Sequence, residues 1–233
     1  DTSSASLFAA DYATTTGRSI GASTTLNNVF ATSAVAGVPA AAPYRNPITG
    51  AIENNNLAVQ LQTVARMIAA APTLGIRRQV FFVSLGGWDT HDFQNAAQGN
   101  NIARVAHALS YFDGALGNLA GVNMRNAVTT FTASDFSRTF TTNGDGTDHA
   151  WGGHHLVMGG SVRGGDVYGQ YPTLGVDLGT FRNPDMSRSN LIPTTSVAQC
   201  GATRGRWLGG SETNLDTIFP NLRNMASRGL GFL

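Results

Sequence analysis

The chain has no lysine: all 15 of its basic residues are arginine. Glutamate is almost missing too, with Glu53 and Glu212 alone among 14 acidic residues. Charged residues make up 12% of the 233, against about a quarter in ordinary globular chains. The formal net charge is +1 and the arginines are scattered, so no basic block exists to bind a nucleic-acid backbone. Cys200 is the lone cysteine, which excludes an intrachain disulfide framework and a cysteine-built zinc site. No run approaches about 18 apolar residues, so no transmembrane segment is expected. "GGSVRGG" lacks the lysine-serine/threonine ending of a phosphate loop. A dinucleotide fingerprint and a G-x-S-x-G nucleophile elbow are also missing, so no nucleotide cofactor is expected.

What is present is enough for a folded core, with 42% hydrophobic and 9% aromatic residues. Residues 1–50 are poor in charge and rich in Ala, Thr, Ser, Gly and Asn. They read as a low-charge arm or linker with one short helix around Thr24–Thr32. Residues 51–233 read as a single α/β domain. Leu57, Leu61, Val64 and Ile68 recur at helical spacing, which predicts a helix from about Asn56 to Ala71 ended by Pro72. Val80–Leu85 is a short continuous apolar run, the pattern of a strand buried on both faces. A long helix follows over about Phe93–Ala120, with Ile102, Val105, Leu109, Phe112, Leu116 and Leu119 as its apolar stripe. A second buried strand is expected at Val128–Ala133. Strand, helix, strand predicts a right-handed parallel unit in a mostly parallel sheet with flanking helices. A brief strand at His155–Met158 and helices at Ser196–Trp207 and after Ser211 complete the reading.

In a parallel pair both carboxyl ends point the same way, so the residues after the two strands can share one crevice. Those residues are "GGWDTH" and "SDFSRT". Asp89 and His91 lie in the first and Asp135 in the second. Asp148, His149, His154 and His155 crowd the glycine-rich stretch beyond. Carboxylates with imidazoles suit zinc, manganese or iron, and carboxylates alone suit magnesium or calcium. Arg138 and Arg163 are candidates to steady an anionic substrate. The plainer reading has Asp89 or Thr90 capping the long helix, and Ser134 or Asp135 capping a turn beside an Arg138 salt bridge. "NGDGTDH" fails the spacing of a calcium-binding hand loop, so a structural turn is preferred there. His107, inside a helix, is expected to be a partly buried structural residue.

The stretches "VFFVSLGGWDTH", "FTASDFSRT", "GTDHAWGGHHLVMGGSVRGGDVYG" and "LIPTTSVAQCGATRGRWLGG" resemble the bacterial family of unknown function numbered 1501, placed in the alkaline phosphatase/sulfatase superfamily. The resemblance runs from about Ala51 to Leu233 and is to the family's C-terminal half. It implies an alkaline-phosphatase-like fold in an incomplete, C-terminal portion. It implies a metal-dependent hydrolase of phosphate or sulfate esters, with Asp89, His91 and Asp135 as metal ligands and His149, His154 or His155 supplying the rest. Phe136 stands where such enzymes have a ligand histidine. The nucleophile would come from outside the chain, either from an N-terminal half of the same precursor or from another chain of an assembly. The family's leader peptides imply a periplasmic or extracellular location. The alternative is a non-catalytic secreted or envelope protein that binds or builds on the same fold.

Overall fold

The computed structural model describes residues 6–172, 174 and 190–233. The chain divides into two compact units, one made of Asp1–Pro43, Asn54–Ser84 and His107–Asn123, the other of Tyr44–Glu53, Leu85–Ala106 and Met124–Leu233. Among the described residues no helix is long and apolar enough to cross a membrane.

The first unit is helical. Helix α1 spans Leu7–Phe30, α2 spans Ser33–Ala36 and α3 spans Asn56–Leu74. The short helix expected at Thr24–Thr32 is thus the end of a much longer one. Its many hydroxyls are accommodated because Thr14, Ser19, Thr24 and Thr25 each donate to the carbonyl four residues back. Val29, Val35 and Ala70 form a buried cluster with Phe30, Ala69 and Leu74 against it. In α3 the predicted face is the buried one: Leu57, Ala58, Leu61, Val64 and Ala65 are all inside. Asn55 caps it by accepting from the Leu57 N–H at 3.1 Å. The helix runs through Pro72 rather than stopping there. It closes at Gly75, whose φ of 67° lets Ile76 N–H reach back to the Ala71 carbonyl at 3.0 Å. His107 is half-buried, with Nδ1 3.1 Å from the Asn55 amide.

Val80–Leu85 forms no strand. It has no regular secondary structure and is largely exposed, Val80 at 80% and Phe82 at 92%. At Ser84 the backbone N–H and C=O are both taken by the Gln60 side-chain amide, each at 2.9 Å. A side chain stands there in the position a neighbouring strand would fill.

The second unit corrects the expected fold class. Among the described residues its strands are β1 (Tyr44–Arg45), β2 (Ile52–Glu53), β3 (Thr130–Phe131), β4 (Ser137–Thr142), β5 (Thr147–Ala150) and β6 (Val157–Met158). They pair as β1–β2, β3–β6 and β4–β5, three two-stranded sheets, all antiparallel. The mostly parallel, alkaline-phosphatase-like sheet is not found among the described residues, and neither is a buried strand over Val128–Ala133. The two apolar runs were read as neighbours because each alone has a buried strand's composition. Pairing depends on a partner segment, and β3 takes β6 while Val80–Leu85 takes none.

The long helix is α4, Gln94–Gly117. Residues to Ala106 belong to this unit, where Asn101 donates to the Gly87 carbonyl at 2.7 Å. Toward the C-terminus, α5 (Val197–Trp207) and α6 (Glu212–Ile218) pack around Ala202, Leu215 and Leu222. Ser196 caps α5, which starts at Val197, in a reciprocal capping box with Gln199. Leu215 is buried in α6, whereas Ile218 faces solvent at 64% exposure. The two helices approach closely because α5 has glycines at the contact. A Cβ on Gly205 would lie 2.6 Å from Leu215 Cδ2.

Candidate metal centre

The hairpin β4–β5 carries most of the candidate site. Asn143–Gly146 makes its turn, with Asn143 N–H donating to the Gly146 carbonyl at 3.1 Å. The Asn143 side chain accepts in return from Gly146 N–H at 3.2 Å. In this register Arg138 lies opposite His149. The turn docks on the segment after Gly87. Gln94 N–H donates to the Asp145 carbonyl at 3.1 Å, and Thr147 N–H to the Thr90 carbonyl at 3.4 Å. The fit is close: a Cβ on Gly146 would stand 2.0 Å from the His91 carbonyl oxygen. A glycine at the end of the turn is therefore what lets the hairpin bring His149 to Asp89 and His91.

The three side chains converge on one oxygen. Asp89 Oδ1 is 2.9 Å from His91 Nε2, 2.6 Å from His149 Nε2 and 3.1 Å from Arg138 Nη1. Each of Asp89, His91 and His149 offers a ligand atom within 4.8 Å of the others. Asp89 and His149 are exposed and His91 is half-buried, so the group is open to solvent. Hydrogen bonding to His149, then to Arg138, holds the Asp89 carboxyl below the usual carboxylate range, with the charge of His91 adding to it. It is an anion at neutral pH, as a ligand must be.

The surroundings orient these groups. Asp148 Oδ1 lies 3.4 Å from His91 Nδ1. A carboxylate on that side favours a proton on Nδ1, which would leave Nε2 to an ion that took the place of its contact with Asp89. The His149 ring is stacked with Phe136 at 4.4 Å and with His91 at 5.0 Å between centroids. Phe136 is therefore a platform for the His149 imidazole. Arg138 is held on three sides. Its Nε donates to Thr147 Oγ1 at 2.9 Å, its Nη2 to the Thr147 carbonyl and its Nη1 to Asp89. Thr147 in turn donates to Gln94 Oε1 at 2.9 Å. With 12% of its side chain exposed, Arg138 braces Asp89.

Of the residues singled out in the sequence, Asp89, His91, His149 and Arg138 come together. Asp135, His154 and His155 are not part of the three-ligand group. His154 stacks with Tyr171 at 5.0 Å, and His155 Nδ1 lies 3.5 Å from Thr132 Oγ1. Neither Asp89 nor Thr90 starts the long helix, whose first N–H goes to Asp145. Sequence reasoning passed over Thr147 and Gln94, which fix Arg138. Only the β alternation of "SRTFTT" and "TDHA" hinted at the hairpin that places them.

The donor set fits a divalent ion: one carboxylate oxygen and two imidazole nitrogens, with further coordination left to solvent. Three protein ligands of this type suit zinc or a neighbouring transition metal.

A family model described as "Protein of unknown function (DUF1501)" matches residues 21–219. No significant match to the chain was found among curated proteins or solved structures. The family match corrects the reading of a resemblance limited to a C-terminal half from Ala51, because it includes much of α1 and the whole segment to Gly50. The antiparallel pairs likewise remove the basis for an alkaline phosphatase- or sulfatase-like description. With the match covering most of its length, the chain belongs to the DUF1501 family of proteins of unknown function.

Proposed function

We propose that this protein binds one divalent transition-metal ion through Asp89, His91 and His149, and that the centre serves hydrolysis of a phosphate or sulfate ester. The observation that carries the reading is the convergence of three ligand atoms within 4.8 Å at a solvent-open position. A bound ion would supply Lewis acidity toward an ester oxygen or a water. The chain's own residues hold and orient. Asp89 stays ionised, Asp148 presents Nε2 of His91, Phe136 fixes the His149 ring, and Arg138 keeps Asp89 in place. Arg138 is a positioning residue in this scheme. Asp135, His154 and His155 enter only as groups that could approach an ion after local rearrangement. The reading keeps the periplasmic or extracellular setting inferred from the family.

The test is zinc and manganese binding to metal-stripped protein by calorimetry. One ion per chain is expected, with affinity lowered at least about 100-fold in His149→Ala and about 10- to 100-fold in Asp148→Asn. Equal affinity in wild type and both variants would sink the proposal. Hydrolysis of a chromogenic phosphate or sulfate ester, dependent on the added ion, tests the reaction separately.

A second reading is a non-catalytic protein of a larger assembly. The exposure of Val80 and Phe82 favours it, since soluble chains seldom leave closely spaced large apolar residues in water. It predicts association through that segment, with the metal irrelevant to it.

A further inference from the structure

Several arginines of this unit face carboxylates. Arg104 pairs with Glu53, Arg138 with Asp89, and Arg206 and Arg228 with Glu212. Arg204 is half-buried, yet it meets no carboxylate among the described residues. Its guanidinium carbon lies instead 3.8 Å from the centroid of the Phe131 ring. A ring at that distance holds the guanidinium plane and satisfies one face. It accepts no N–H bond in the plane, where the fork of donors points.

Two groups nearby share the positive field. Burial, and after it the charge of Arg204, pushes the His155 imidazole down, which favours its neutral form. Burial pushes the Cys200 thiol up, so the residue one turn before Arg204 on α5 stays a neutral thiol and supplies no counter-charge. The backbone around this cluster is well tied. Thr132 N–H donates to the Leu156 carbonyl at 3.0 Å, and Leu156 N–H donates to Thr132 Oγ1 at 2.9 Å. Phe131 and His155 are thereby held on adjacent segments, and both are open to solvent.

We propose that Arg204, backed by Phe131, is an oxyanion-binding site that takes a phosphate or sulfate group. A partly desolvated guanidinium whose in-plane donors meet no acceptor among the described residues is matched by two oxygens of such a group, bound in parallel. The ring beneath it lowers the entropy lost when the fork is ordered. The site uses none of Asp89, His91 and His149 and does not depend on a metal there.

The experiment is titration of inorganic phosphate, and separately of phenyl phosphate, into the full chain in buffer stripped of metal by a chelating resin. Calorimetry on wild type should show saturable binding of one anion. Arg204→Gln should weaken it at least about 10-fold, and Arg204→Lys should fall between, because an ammonium keeps the charge and loses the fork. Phe131→Leu, which keeps the charge and removes the ring, should weaken binding severalfold. Arg18→Gln, an exposed arginine on α1, should leave it unchanged. Binding of phosphate alone marks a site for the free ion; binding of both marks one for the esterified group, and either supports the proposal. No saturable binding by wild type overturns it, as does equal binding in a folded Arg204→Gln protein.

Discussion

Gly146 illustrates how one residue can govern the candidate centre without touching an ion. A side chain there would meet the His91 carbonyl at 2.0 Å and the Thr90 carbonyl at 2.7 Å, both backbone atoms that cannot swing away. Gly146→Ala should therefore push the β4–β5 turn off the Thr90–His91 segment. The expected loss is about 1–3 kcal/mol of stability by overpacking, read by urea unfolding. Metal affinity should fall in the same variant, because His149 is carried by the displaced hairpin. A Gly146→Ala protein with unchanged stability and unchanged zinc affinity would contradict this account. Phe136 makes the complementary point. At this position the family resemblance suggests a histidine ligand, and the structure has a ring that stacks on His149 instead.

At the scale of elements, α5 and α6 are joined by charge as well as by their small apolar core. Glu212 bonds Arg206 at 2.5 and 3.0 Å and Arg228 at 3.1 Å, and Arg228 reaches Asp216 at 2.6 Å. Arg206, followed by Arg228, lowers the Glu212 carboxyl to about 2. The folded value lies below the ordinary value of 4.5, so the stabilisation is complete above pH 4.5 and is lost as pH falls toward 2. The stability difference between wild type and Glu212→Gln should shrink steadily across that window when followed by acid titration of helical signal. Because the group is exposed, the difference at neutral pH should be small. A difference that grows on acidification would show that the ion pair is not its source. The hairpin β4–β5 works by other means. It is short, and its turn is anchored through backbone bonds to the segment preceding α4 rather than through a wide sheet.

For the whole molecule, the notable surface is the apolar run with Val80 and Phe82 in water. The backbone at Ser84 is matched by Gln60, whereas Val80–Val83 make no backbone ladder among the described residues. Consecutive apolar residues with backbone groups outside any ladder offer a site for another segment to pair or pack against. Association that rises with concentration is expected by sedimentation velocity, and Phe82→Lys should reduce it. A monomer at all concentrations, with the variant indistinguishable, would remove support for the assembly reading. Neither outcome bears on the metal proposal, whose residues lie elsewhere in the chain.

Much of the helical structure was legible because a helix closes its own hydrogen bonds four residues apart. Leu57, Leu61 and Val64 in α3, and the stripe through Phe112 and Leu116 in α4, needed no distant partner to be recognised. The hydroxyl-rich α1 was harder, since Thr and Ser carry weak helix preference and no stripe marked its extent. The residue types of the centre were legible too: Asp89, His91 and His149 could be named as candidates from carboxylate and imidazole chemistry alone. What the amino-acid order could not decide was pairing. The apolar runs at Val80–Leu85 and Val128–Ala133 have the composition of neighbouring strands, yet a strand is completed only by another segment. Likewise, His149, His154 and His155 lie close together in sequence, and only the hairpin register opposite Arg138 selects His149. Local chemistry determined the helices and the ligand types; tertiary structure chose the strand partners and the ligand set, because both require atoms far apart in sequence to meet.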